Sequence, residues 1–296
     1  MPTLELDHLN KTFGSGDSAV RALTDMTFTV RPGEIYGFVG SNGAGKSTAM
    51  RIALGVLTAD SGEARVDGTP VNDDIRRTIG YMPEERGLYD KEKISDQLVF
   101  FGRLHGLTKQ AATSSTEELL EQLGLAERSQ AKLQELSLGN QQRVQLAASL
   151  VHHPELLILD EPFSGLDPVA VSVMSDMLLS KAADGVPVLF SSHQLDLVQR
   201  LCHRVGIITK GQMKAEGTVD DLRSRGPALY AVETTARDWY PAGTRVVESD
   251  TDTVVLDACH VGDQEILRAA LDAGTVHGFT RRVPDLTDLF KEVVSA

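Results

Sequence analysis

The sequence predicts an α/β fold: a mostly parallel sheet with crossover helices, an antiparallel β layer ahead of it, and a small α+β domain behind. Three observations carry this. Between residues 35 and 190, short aliphatic runs alternate with stretches of helical periodicity, the pattern of parallel strands joined by crossovers. One apolar run, Glu34-Ile35-Tyr36-Gly37-Phe38-Val39, leads through a glycine-rich loop directly into a helix. Past Gly226-Pro227 the texture changes to short strands and two helices, read as an accessory domain over 225–296 behind a main domain over 1–224.

The chain has 296 residues and 41% hydrophobic content, enough for two domains with real cores. It contains no run of 18 apolar residues, so no bilayer span is expected. Met1-Pro2-Thr3-Leu4-Glu5 lacks the basic start and apolar block of a signal peptide. Cys202 and Cys259 fall in different predicted domains and read as free thiols of a reducing compartment. The formal net charge of −13, with Lys and Arg scattered, disfavours a nucleic-acid partner.

In chain order, 4–13 reads as a strand, followed by the turn Gly14-Ser15-Gly16-Asp17-Ser18 and two short strands over 20–23 and 26–30 joined by polar residues. The loop Gly40-Ser41-Asn42-Gly43-Ala44-Gly45-Lys46-Ser47-Thr48 follows the buried run. Residues 62–67 and 78–82 are strand-like. Ile94, Leu98, Phe101 and Leu104, then Leu119, Leu120 and Leu123, recur at helical spacing and place helices over 94–105 and 116–123. Together with a third helix opening after Ser137 and running to about 152, they form a helical insert over about 88–153. Leu156-Leu157-Ile158-Leu159 is continuously apolar, as a strand buried on both faces is. Pro168 starts a helix running to 179, 186–190 is the next strand, and 194–202 the next helix. Strands over 205–208 and 213–216 precede the accessory domain. There, strands are placed over 229–232, 245–247, 253–256 and 276–279, and helices over 264–271 and 286–294. Asp250, Asp252 and Asp257 could suggest a cation site, but they read first as solvated strand and turn positions.

The glycine loop between strand and helix has the context of a phosphate cradle. Small residues let consecutive N–H groups face one hollow, and the helix start adds its positive end. Lys46 would neutralise terminal phosphates, and the Ser47 hydroxyl would ligate Mg²⁺. The plain alternative is a glycine-rich turn without a ligand. Asp160 and Glu161 close the aliphatic run on a strand expected beside the loop's own strand. They are placed to hold Mg²⁺ and to polarise an attacking water. His193, ending the next strand, is either structural or a γ-phosphate partner. Phe13 is either an ordinary edge aromatic or a ring that stacks on a base.

The order of these stretches resembles the ATP-binding subunit of an ABC transporter over residues 1 to about 220. The resemblance rests on 40–48 (Walker A), 136–142 (the signature), 156–161 (Walker B), 164–167 (the D-loop) and Ser191-Ser192-His193 (the switch histidine). It implies the P-loop NTPase cassette fold, with ATP and Mg²⁺ as cofactors. It assigns Phe13 and Val20 to the adenine, Glu161 to the general base and His193 to the switch. Ser137, Gly139, Asn140 and Gln141 would meet the γ-phosphate bound to a second subunit, and Asp167 would link the two sites. The signature here reads Leu138-Gly139-Asn140 where the family commonly has Gly-Gly-Gln. Glu84 stands where a glutamine contacting Mg²⁺ is usual, so its role stays open. The string Pro83-Glu84-Glu85-Arg86-Gly87-Leu88-Tyr89 resembles an exporter branch that includes sodium-export and antibiotic-resistance ATPases and carries a C-terminal extension.

The expectation is thus an ATPase subunit on the cytoplasmic face of the membrane. It would pair with an identical or different cassette and drive export through a separate permease. Tyr89, Phe100 and Phe101 would line the permease groove or pack within the insert. The alternative is a soluble ABC ATPase acting on a cytoplasmic assembly; the single P-loop and the acidic charge oppose it.

Overall fold

The computed structural model describes residues 1–85, 87–224, 228–282, 285–287 and 289–290. They form two compact units, Met1–Gly217 and Thr218–Ala296.

The first unit opens with β1 (Leu4–Phe13) and β2 (Val20–Val30), then β3 (Ile35–Val39), α1 (Lys46–Ala53), β4 (Ser61–Val66), β5 (Thr69–Pro70), α2 (Asp73–Arg77) and β6 (Ile79–Met82). The insert helices α3 (Ile94–Leu104), α4 (Lys109–Gln122) and α5 (Leu138–Leu150) follow. Then come β7 (Leu156–Leu159), α6 (Pro168–Ala183), β8 (Val188–Ser192), α7 (Leu195–Leu201), β9 (Arg204–Thr209) and β10 (Gln212–Thr218). β2, β1, β4 and β5 make an antiparallel sheet in that order. The second sheet runs β10-β9-β3-β8-β7-β6, parallel from β9 to β6.

β3, β7 and β8 are buried at every residue, as strands covered on both faces are. One core joins the two sheets: Leu4, Leu6, Leu9 and Phe28 from the antiparallel sheet, Tyr36 and Phe38 from β3, and Ala49, Met50 and Ala53 from α1. The helix that follows the glycine loop is thereby clamped between both sheets, and its N-terminus is fixed.

Several boundaries differ from the sequence reading. The two strands expected over 20–23 and 26–30 are one strand, β2. Its polar middle is absorbed as a register shift against β1, with Asp25 at φ +51° and its N–H donated to Asn10 Oδ1. α4 starts at Lys109 because the Thr108 hydroxyl caps it, accepting the Ala111 N–H. α2 is capped in the same way by Asn72 and was not anticipated. α6 continues to Ala183. β8 begins at Val188 and reaches Ser192. β7 does not lie beside the glycine-loop strand, since β8 stands between them.

The second unit has α8 (Val219–Ser224), also unanticipated, then β11 (Leu229–Thr234), β12 (Arg245–Ser249), β13 (Thr253–Asp257), α9 (Asp263–Ala273) and β14 (Val276–Arg282). Its antiparallel sheet runs β12-β13-β11-β14 over a core of Val232, Trp239, Val254, Leu256, Ile266 and Ala270. Residues 286–287 and 289–290 are helical; the rest of the helix expected over 286–294 lies outside the described residues.

Candidate functional site

The carboxyl ends of β3, β8 and β7, side by side in the sheet, bring three sequence stretches together. From β3 the chain curls through the glycine loop. Gly45 sits at φ +107°, and a Cβ there would meet the Ala22 carbonyl at 2.6 Å, so β2 presses against the loop and only glycine fits. α1 then begins at Lys46 with its N–H groups turned toward the loop. Lys46 is almost fully buried. Its ammonium donates to Gly40 O at 2.7 Å and Ser41 O at 3.4 Å.

From β7 come Asp160 and Glu161, both buried. Glu161 is a non-glycine residue at φ +50°, a conformation costing on the order of 1–3 kcal/mol unless its surroundings hold it. Two contacts hold it here. Its N–H donates to the Ser191 hydroxyl at 2.8 Å, and its Oε2 lies 2.9 Å from His193 Nδ1. Its Oε1 is buried without a hydrogen-bond partner, 3.6 Å from Lys46 Nζ. β8 supplies Ser191 and Ser192 and leads into His193, so the strand standing between β3 and β7 holds the acids.

A cleft of about 410 Å³ opens over this junction. It is lined by Ser41, Asn42, Gly43, Ala44, Gly45, Lys46, Ser47 and Thr48, by Val20, and by Glu84, Asp160 and Glu161. The hydroxyl of Ser47 and the carboxylates of Asp160 and Glu84 make an all-oxygen set, which suits a small hard divalent cation. Gly40 lies beneath the loop, where a Cβ would collide with Ile208 O at 2.6 Å. Phe13 is not in the lining. It pairs across the strands with Val20, which is, and the Lys11 ammonium sits 5.6 Å from its ring centroid. Arg21, Ala22 and Lys210 also line the cleft and were missed. Lys210 and Gly211 turn the β9–β10 hairpin with φ of +49° and +76°. The Gly211 N–H donates to Ala44 O at 2.8 Å, bringing this lysine to the loop. A Lys-Gly pair between two strands is a legible turn signal; its arrival beside the glycine loop is not.

The signature residues stand apart from this lining. Ser137 caps α5, accepting the Asn140 N–H. Gly139 allows close approach of α5 and α6, since a Cβ would meet the Ala170 Cβ at 3.2 Å. Gln141 is buried and its amide donates to the carbonyls of Leu133 and Leu136. Asp167 caps α6, accepting the Ala170 N–H at 2.8 Å. Two further glutamines on α5 reach the acids' loops. Gln142 donates to Pro162 O at 3.1 Å, one residue past Glu161, and Gln145 donates to Pro83 O at 2.7 Å, one residue before Glu84.

Residues 23–164 match the ABC transporter family model. An uncharacterized ABC transporter ATP-binding protein of Bacillus subtilis, YhaQ, is 36% identical over 298 residues, 99% of this chain and 99% of the relative. The chain belongs to the ABC transporter ATP-binding proteins. It is the ATPase subunit type of that family, and the transport reading prevails over the soluble alternative. The Nod factor export ATP-binding protein I of Burkholderia lata is 34% identical over 98% of this chain and 97% of its own length. Both likenesses thus extend past the cassette through the C-terminal unit. A solved ATP-binding subunit of an ABC transporter superposes with a TM-score of 0.67 at 31% identity, covering 75% of this chain and 92% of that one. The cassette carries the P-loop fold expected of it.

Proposed function

We propose that this cassette binds Mg·ATP in the cleft above β3, β8 and β7, hydrolyses it as one of a head-to-tail pair, and thereby powers export through a separate membrane permease. The observation that carries the reading is the convergence of Lys46, Ser47, Asp160 and Glu161 on one cleft, with His193, outside the lining, held against Glu161 Oε2.

The N–H groups of the glycine loop and the start of α1 would receive the β- and γ-phosphates, with Lys46 turning from Gly40 O and Ser41 O to meet them. Mg²⁺, when bound between Ser47 and Asp160, would neutralise charge developing on the transferred phosphoryl group. Glu161 is the general base. Its unpartnered Oε1 takes the proton of the attacking water, while His193 holds Oε2 and so fixes the orientation of the carboxylate. Phe13, beside Val20 at the rim, offers its ring to the adenine.

Ser137 and the N-terminus of α5 are outside this chain's own cleft lining, and Leu138 and Val169 near the signature and D-loop are exposed. That placement supports closure of each cleft by the signature of a partner cassette, whose positive helix end would meet the γ-phosphate. Among the described residues no helix is long and apolar enough to cross a membrane. On this reading the permease is a separate chain, with this one docked on the cytoplasmic face. Tyr89 and Phe100, 58% and 48% exposed, support a docking groove there. Gln97 holds the Tyr89 backbone at both N–H and C=O, and Phe101 meets Phe100 edge-on at 5.7 Å. Export rests on relatives whose names record Nod factor export and linearmycin resistance.

The deciding experiment is ATPase activity of the purified chain together with a co-encoded membrane protein in vesicles. Hydrolysis stimulated by the membrane protein and lost on Glu161→Gln supports the reading; hydrolysis indifferent to both overturns it.

A further inference from the structure

Ser191 stands in the stretch that ends at the switch histidine and has no role assigned above, yet its hydroxyl touches both acids that follow β7, Asp160 and Glu161. It is fully buried at the end of β8. It accepts the Glu161 N–H at 2.8 Å and donates to Asp160 Oδ1 at 2.6 Å. A hydroxyl has a single proton, so the direction of both bonds is fixed: the Glu161 N–H occupies the acceptor side, and the proton goes to Asp160.

We propose that Ser191 is the positioning residue of the metal-binding half of this site. Its hydroxyl sets the rotation of the Asp160 carboxylate and anchors the left-handed turn at Glu161. The inference rests on the cleft being the Mg·ATP site and goes beyond it by assigning a residue outside the ligand set. Outer contacts of this kind orient the ligands that touch a metal, and their loss characteristically weakens metal binding rather than nucleotide contact. The geometry here has that form. One bond fixes which face Asp160 turns to the cleft, and the other keeps the backbone conformation that projects Glu161 between Lys46 and His193. An aliphatic residue at 191 would leave the Glu161 N–H buried without an acceptor and Asp160 free to rotate.

The test uses the full-length protein and Mn²⁺ as a spectroscopic probe, titrated by electron paramagnetic resonance in the presence of saturating ADP, which is not hydrolysed. Ser191→Ala and Ser191→Cys, the latter preserving volume with a poor hydrogen-bonding group, should weaken Mn²⁺ binding about 10- to 100-fold. Metal-free ADP binding should stay within about twofold, because the phosphate cradle is untouched. Ser191→Thr keeps the hydroxyl and should hold Mn²⁺ close to wild type. Wild-type Mn²⁺ affinity in the Ala and Cys variants would overturn the assignment. So would a Thr variant that folds yet loses the metal as they do. If Ala fails to fold, Cys against Thr decides in the same way. Failure of the wild-type protein to bind ADP at all would instead strike the reading of the cleft itself.

Discussion

Lys46 Nζ lies 3.6 Å from Glu161 Oε1, and both side chains are more than nine-tenths buried. The ammonium that would meet a phosphate thus lies at ion-pair distance from the carboxylate that would activate water. Each therefore shapes the charge the other sees, and their substitutions should behave differently.

Glu161→Gln keeps the shape of the side chain and removes the base. Hydrolysis should fall about 10²–10⁴-fold. ATP binding should persist or tighten, because the carboxylate opposite the phosphates is gone. Single-turnover hydrolysis and equilibrium nucleotide binding read the two effects separately. Full turnover in this variant would remove Glu161 from the chemistry.

Lys46→Ala removes the charge that would pair with the phosphates. A hydrogen bond to a charged group contributes about 1.5–3 kcal/mol, so ATP affinity should drop roughly 10- to 150-fold. Fluorescent-nucleotide titration measures it. An unchanged affinity would mean that the ammonium stays with Gly40 O and Ser41 O in the bound state.

The parts of this site that were legible in the sequence are those where a local pattern dictates local chemistry. The glycine loop needs its small residues wherever it is, and Asp160-Glu161 closes an aliphatic run in plain view. What could not be read was adjacency. Placing β7 beside β3 was reasonable from chain order, but β8 enters between them and delivers Ser191 and His193 to the acids. Lys210 arrives by a hairpin some 160 positions beyond the loop it adjoins. Gln142 reads as part of the helix-opening motif and Gln145 carries no signal of its own, and only the packed structure shows their amides on Pro162 and Pro83. The split drawn in β2 failed because polar Thr24 and Asp25 resemble a turn, whereas sheet pairing absorbs them as an irregularity.

If Ser137 acts on the nucleotide of a partner cassette, mixing Ser137→Arg and Lys46→Ala proteins should rebuild one complete composite site. Each variant alone should fail to dimerise with ATP, while the mixture recovers a dimer on size exclusion when hydrolysis is blocked. No recovery would count against closure from the second chain.

Gln145 ties the signature helix to the loop that holds Glu84, donating to Pro83 O and to Glu85 O. Gln145→Ala removes the donor to two part-buried carbonyls and should cost about 0.5–1.5 kcal/mol of stability. ATP affinity should change little, because the glycine loop is untouched. Urea unfolding with parallel nucleotide titration would show whether stability and binding separate in this way.

His152 gives the fold a pH dependence that the cleft does not require. Its ring stacks on His105 with centroids 3.7 Å apart, and its Nε2 lies 3.3 Å from Ile79 O. Burial, then the charge of His105, lower its pKa from 6.5 to about 4. The unfolded chain therefore takes up this proton near pH 6.5, and the folded chain only near pH 4. Stability from this group is present above pH 6.5 and declines as pH falls toward 4, by a total on the order of 3 kcal/mol. His153 lowers the pKa further, and the contact with Ile79 O works the other way. His152→Gln removes the titrating ring, so the difference in urea midpoint between pH 7.5 and pH 5 should shrink. If the variant loses stability with acid as steeply as the parent, the acid sensitivity lies in other groups.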